Sequence, residues 1–286
     1  MQATIETFGV GRQAGHRMAN GSISVEVLTG LDARALKLVD LASGRNMLSE
    51  RRFGLAARSK LPYGITTWVK GGTERDGWSG VLSANVLGYE KVPVREPIIQ
   101  QTEAGVRLAT CQEGQGVRFE KEFFLPARGS VLHYRTRLTN LGNEPRRLQL
   151  EHFFVWNTDS DRAQTSFVVP TLGGADALWL PAYDDLDCRA VVPSEPWGAF
   201  LDHARAHAVV FTFRGIHKLH RYVAGPYGEF SGYSPEVVLA PYGVLENFFA
   251  FHVVCPLDFG SVPAEIEPVH RAVLSLAQRQ RFTSSG

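Results

Sequence analysis

The chain has 286 residues, with 30 Lys+Arg against 29 Asp+Glu, and at this length roughly three quarters of the unfolded surface can be buried. A formal net charge of +1 supplies no excess positive field for a phosphate backbone, so nucleic acid is not expected as a partner. With 44% hydrophobic and 21% charged residues the composition is that of a folding globular chain, and no apolar run reaches the roughly 18 residues that a membrane helix needs.

In chain order, the opening MQATIETFGVGRQAGHRMANG lacks the apolar stretch of a secretory signal, which makes the cytoplasm the expected compartment. SISVEVL alternates with period two, placing Ile23, Val25 and Val27 on one face and Ser22, Ser24 and Glu26 on the other, the pattern of a half-buried strand. ARALKLVDLASGRNML continues with Leu36 and Leu38 in phase and then a turn. Leu61 to Gly80 is Gly-rich, carries Trp68 and Trp78, and reads as a loop. From Gly105 to Asn157 the chain reads as a four-strand meander: GVRLATCQ, VRFEKEFF, VLHYRTRLTN and RRLQLEHFFVWN, with turns at EGQG, LPARGS and LGNEP. Pro170 to Gly198, with Trp179 and Trp197, reads as a second long loop. AVVFTFRG and VLENFFAFHVV read as strands, and AEIEPVHRAVLSLAQRQ permits a helix from about Pro268 onward. Many short strands with almost no helix between them predict an all-β, antiparallel sandwich. No linker marks a boundary, so one domain is expected over residues 1–270, with 271–286 as a C-terminal helix or tail.

Cys111, Cys188 and Cys255 are odd in number and far apart, which excludes a disulfide framework or a CxxC knuckle and predicts small buried side chains. His203, His207, His217 and His220 crowd one region, but LDHARAHAVVFTF reads as strand, turn and strand, so no metal site is expected. Asn157, Asp159 and Asp161 resemble the first half of a calcium loop; Arg162 and Val168 stand where that loop needs Gly and Glu, so the segment reads as a solvated turn. The strand RRLQLEHFFVWN is more informative. Alternation puts Leu148, Leu150, His152, Phe154 and Trp156 on one face. If the preceding hairpin pairs Leu138 near Leu148 and Thr136 near Leu150, Tyr134 falls across from His152. A histidine and a tyrosine over an apolar floor suit a sugar: the C–H faces of a pyranose stack on aromatic rings, while its oxygens need a few placed donors and acids. Loop tryptophans at 68, 78 and 179 would add stacking platforms, and Arg51 and Arg52 a bidentate clamp.

The run VRFEKEFFLPARGSVLHYRTRLTNLGNEPRRLQLEHFFVWN resembles the central meander of the galactose mutarotase-like (aldose 1-epimerase-like) superfamily. ISVEVLTGLDARALKLVDLASGRNML resembles that family's first hairpin, and VVLAPYGVLENFFAFHVV its closing strand. The resemblance implies a single supersandwich of two large antiparallel sheets with a sugar on the concave face, and His152 matches the position of the family's general acid. For the general base it leaves Glu229 in PYGEFSGYS or Glu246 in GVLENFF. The stretch before the meander, NMLSERRFGLAARSKLPYG, has Arg51 and Arg52 but no histidine. The expectation is therefore a carbohydrate-active protein, either an epimerase-like enzyme working by acid-base chemistry without a cofactor, or a non-catalytic binder, or an oligosaccharide hydrolase or lyase. A sugar or oligosaccharide is the expected partner.

Overall fold

The computed structural model describes residues 2–10, 13–30, 33–49, 64–72, 94–157, 165–179, 187–202, 204–224 and 227–254. Arg51, Arg52, Trp78 and the expected C-terminal helix lie outside them. The period-two alternation is realised as strands β1 (Thr4–Val10), β2 (Gln13–Ala19), β3 (Ile23–Leu28), β4 (Arg34–Asp40), β5 (Arg45–Asn46), β6 (Ile65–Gly72), β7 (Ile98–Thr102), β8 (Gly105–Gly114), β9 (Val117–Pro126) and β10 (Val131–Asn140). There follow β11 (Arg146–Trp156), β12 (Thr165–Thr171), β13 (Gly174–Trp179), β14 (Asp187–Val191), β15 (Trp197–Asp202), β16 (His207–Arg214), β17 (Lys218–Ala224), β18 (Tyr227–Tyr233), β19 (Val237–Leu239) and β20 (Val244–Val254). Two segments that read as loops thus hold strands: β6 lies within Leu61 to Gly80, and β13 and β14 within Pro170 to Gly198. The Gly71–Gly72 end of β6 weakens its strand signal, and tryptophan and small residues alternate poorly in β13.

The strands form two antiparallel sheets. An eleven-stranded sheet runs β1-β2-β3-β4-β6-β11-β18-β17-β14, with β5 beside β4 and β19 beside β11; a nine-stranded sheet runs β13-β12-β15-β16-β20-β10-β9-β8-β7. The main core lies between them, where Val25 and Leu38 of one sheet meet Phe123, Tyr134 and Phe249 of the other. On β9 the sequence VRFEKEFFLP buries every second residue, so alternation alone orients the strand. On β12, β15 and β16 it does not. Val168, Ala199, Leu201 and Val210 form an apolar cluster on the opposite face from the core residues Phe167, Phe200 and Phe211. Both faces of these strands are apolar, which erases the period-two signal.

The expected pairing of the last two meander strands is corrected. β8, β9 and β10 are consecutive neighbours, but β11 leaves them and enters the other sheet between β6 and β18. Asn140, in the LTN turn, organises that crossing. Its amide Nδ2 donates to the carbonyls of Glu144, Leu239 and Ala240 at 2.8, 3.0 and 3.2 Å, and its Oδ1 accepts from the Gly142 amide at 3.0 Å. Fully buried, it satisfies backbone groups that a sheet-to-sheet turn would otherwise orphan. At the far end the buried pair Arg45–Asp202 ties β5 of one sheet to β15 of the other.

Candidate functional site

His152 faces the interior of the sandwich. β11 turns Leu150, His152, Phe154 and Trp156 into the space between the sheets, and all four are fully buried. Tyr134, on β10, meets His152 across that space and not on a neighbouring strand. The hydrogen bonds form one directed chain when the tautomer follows its partners. The Tyr134 hydroxyl donates to Thr67 Oγ1 (2.7 Å), Thr67 donates to His152 Nδ1 (2.8 Å), His152 Nε2–H donates to Asn247 Oδ1 (3.2 Å), and Asn247 Nδ2 donates to the Gly215 carbonyl (2.6 Å). Desolvation pushes the His152 pKa down to about 3; the bond to Asn247 acts against this and the Lys121 charge adds to it. The imidazole is therefore neutral at pH 7, with both nitrogens occupied by hydroxyl and amide partners. It braces the two sheets and is not placed to protonate a sugar. Trp156 stacks on Phe200 within the same core (5.7 Å, 14°) and, like Tyr134, presents no surface to a ligand.

Glu246 is separated from Glu229 by the whole sandwich. It lies on the outer face of the nine-stranded sheet, half exposed, with Arg135 at 3.6 Å. Trp179 falls on β13, and only its backbone is described, paired with Ser166. Alternation correctly groups the residues of each strand by face; which face meets solvent is a tertiary outcome.

The chemistry gathers on the other phase of β11, the outer face of the eleven-stranded sheet. Register places Glu151 between Trp68 and Tyr233, Phe153 between Thr66 and Ser231, and Val155 beside Glu229; His220 lies opposite Ser231 and Lys218 opposite Tyr233. Trp68, which the sequence put on a loop, tilts against Phe153 with ring centroids 4.2 Å apart. The Glu151 carboxylate is held at both oxygens: it accepts from the Tyr233 hydroxyl and pairs with the Lys70 ammonium. Lys70 and Lys218 also lie over the Tyr233 ring, 5.4 and 5.0 Å from its centre.

Glu229 is the most perturbed acid of this face. It is 7% exposed and accepts a hydrogen bond from the Ser231 hydroxyl. Burial pushes its carboxyl up to about 7; the Ser231 bond opposes this and the Glu151 charge adds to it. His220 lies tilted against Tyr233, with ring centroids 4.6 Å apart at 48°, and burial, then Lys218 and Lys70, lower its pKa. Its Nε2 is enclosed and has no hydrogen-bond partner among the described residues. A carboxyl poised near neutrality, a neutral imidazole and a Tyr–Glu–Lys network on one sheet face form an acid-base constellation. No cluster of His, Cys, Asp or Glu among the described residues is arranged to hold a metal.

Of the residues singled out in the sequence, Glu229, Trp68 and His220 share this face, Trp68 against Phe153, Glu229 beside Val155 and His220 opposite Ser231. Glu151, Tyr233, Lys70 and Ser231 were missed, and His220 was weighed only as a metal ligand. Their signal lay in the complementary phase of strands already recognised or overlooked: Gln149/Glu151 in QLEHFF, Glu229/Ser231/Tyr233 in GEFSGY, and Lys218/His220 in KLH.

No protein family model and no curated protein sequence matches the chain. Solved structures do. A Klebsiella pneumoniae protein, named as a candidate aldose 1-epimerase, superposes with a TM-score of 0.67 at 11% identity, over 96% of this chain and 87% of that one. A galactose mutarotase-like protein from Clostridium acetobutylicum gives 0.62 at 12% identity, over 88% and 99%. A galactose mutarotase related enzyme from Lactobacillus acidophilus gives 0.61 at 11%, over 85% and 98%. The chain has the galactose mutarotase-like fold. Identities this low carry the fold alone, and function has to be argued from the site.

Proposed function

We propose that this mutarotase-like chain is a carbohydrate-active enzyme that exchanges protons at or near the anomeric carbon of a sugar, on the outer face of its eleven-stranded sheet. In the aldose 1-epimerase form of that chemistry a base removes the O1 proton as an acid protonates the ring oxygen. The C1–O5 bond breaks, the C1 carbonyl turns about C1–C2, and closure in the reverse sense returns both protons. The group that best supports the reading is Glu229, whose carboxyl titrates at about 7 and so serves as either donor or acceptor at neutral pH. The second proton carrier is drawn from His220 and the Tyr233–Glu151–Lys70 network. Trp68, half-buried and backed by the buried Phe153 ring, supplies the apolar surface for a pyranose face. On this reading His152, fully buried and hydrogen-bonded at both ring nitrogens, is assigned no part in proton transfer. Its withdrawal into the core favours a second reading, a non-catalytic sugar-binding protein on the same fold.

Exchange NMR of α and β anomers, run over a panel of aldoses, tests the reading. Catalysed interconversion is expected, with Glu229→Gln reducing it by about 10²–10⁴-fold while the fold persists. Saturable sugar binding without interconversion would replace the enzymatic reading by the binding one, and neither effect with any aldose would remove both.

A further inference from the structure

We propose that the outer face of the nine-stranded sheet, remote from Glu229, is a second carbohydrate surface that binds a neutral, linear oligosaccharide. Three rings lie in contact there on adjacent strands. Phe124 of β9 stacks on His133 of β10 directly opposite it (5.9 Å, 21°), and His133 meets Phe248 of β20 on the diagonal (5.5 Å, 32°). Phe123, Tyr134 and Phe249, their sequence neighbours, supply the aromatic core on the inner face. The outer rings are half-buried, so each keeps part of its surface open. The stripe crosses two inter-strand spacings, about 10 Å, the length of a disaccharide.

Beside the rings the sheet dips over two small side chains, Ala109 and Cys111, into a groove of about 280 Å³ walled by Arg95 and Ile98 on one side and Arg135 and Arg137 on the other. The charges alternate. Register sets Glu122 opposite Arg135, and Arg137 between Glu120 and Glu246. Such a checkerboard has no net field to select a polyanion. It does offer hydrogen bonding. Arg107 is committed, donating to Glu122 at 2.7 Å and Gln100 at 3.0 Å. Arg135 has its carboxylates at 3.6 and 3.7 Å, and Arg137 at 4.0 Å, beyond hydrogen-bond contact, which leaves guanidinium donors for incoming hydroxyls. Apolar rings next to charged donors and acceptors are the two halves of saccharide recognition, C–H faces and hydroxyl edges. Cross-strand stacking also stabilises the sheet, so the test has to separate binding from folding.

The probes are maltohexaose, cellohexaose and xylohexaose, titrated into the isotopically labelled full chain and followed by amide chemical shifts. Saturable binding of at least one is expected, with shifts centred on Phe124, His133 and Phe248. Phe248→Ala and Arg135→Ala should each weaken it by about tenfold; Arg135 is 41% exposed, so its variant is expected to retain the wild-type melting curve. Glu229→Gln should leave hexasaccharide binding intact, and Arg135→Ala should leave monosaccharide exchange intact, so the two sites stand or fall separately. No saturable binding by any of the three, or binding that neither variant weakens in a folded protein, would overturn the proposal.

Discussion

Glu229 and His152 make opposite demands on pH, and replacing one should expose the other. The Glu229 carboxyl moves from its ordinary value of 4.5 up to about 7 in the folded chain. Below pH 4.5 it is protonated in both states and contributes nothing. As pH rises from 4.5 to 7 the unfolded chain releases the proton while the folded chain keeps it, so stability falls, by about 3 kcal/mol once pH 7 is passed. His152 moves from 6.5 down to about 3. Above pH 6.5 it is neutral in both states. As pH falls towards 3 the unfolded chain takes up a proton that the buried imidazole refuses, and stability falls by about 5 kcal/mol. Between pH 4.5 and 6.5 the two slopes, each at most about 1.36 kcal/mol per pH unit, oppose one another. Glu229→Gln should therefore unfold at higher urea than the wild type at pH 8, with the advantage shrinking by about 3 kcal/mol on going to pH 4. Urea denaturation at steps across this range measures it. Parallel wild-type and variant profiles would refute the argument, since they would mean that Glu229 titrates alike in the folded and unfolded chains.

Asp202→Asn is expected to cost about 3–5 kcal/mol by leaving Arg45 charged and buried, and Arg45→Met combined with it should recover most of the loss; a double variant no better than the single in urea denaturation would contradict this. Gly215 and Gly129 both sit at positive φ, +83° and +88°, but a Cβ on Gly215 would strike the Asn247 side chain and the Glu246 carbonyl, whereas one on Gly129 meets nothing within 4 Å. Gly129→Ala should cost only the backbone strain, about 1–3 kcal/mol, and Gly215→Ala clearly more, since it also displaces the Asn247 amide that holds His152; equal melting temperatures for the two variants would refute the contact.

The local pattern determined a good deal about this protein. The alternation in VRFEKEFFLP and VLHYRTRLTN fixes β9 and β10, their pairing and their faces, because a period of two leaves one way to bury Phe119, Phe123, Tyr134 and Leu138 together. The all-β class and the two-sheet arrangement follow from many such strands with short turns. Strands that are apolar on both faces, such as β15, or that end in glycines, such as β6, carry no such signal. The turn after Asn140 looks locally like a hairpin, and whether it returns to its own sheet or crosses to the other is decided by where Asn140 finds the carbonyls of Leu239 and Ala240, a hundred residues away. That crossing also settled the site. In RRLQLEHFFVWN the sequence separates His152 from Glu151 by face, but only the second sheet, packing Phe249 and Asn247 against the His152 side, makes one phase core and leaves Glu151 facing Lys70, Tyr233 and His220. On that outer face burial removes enough water from Glu229 to bring its carboxyl near neutrality. Desolvation depends on everything that surrounds a group, and so is written in no single stretch of the chain.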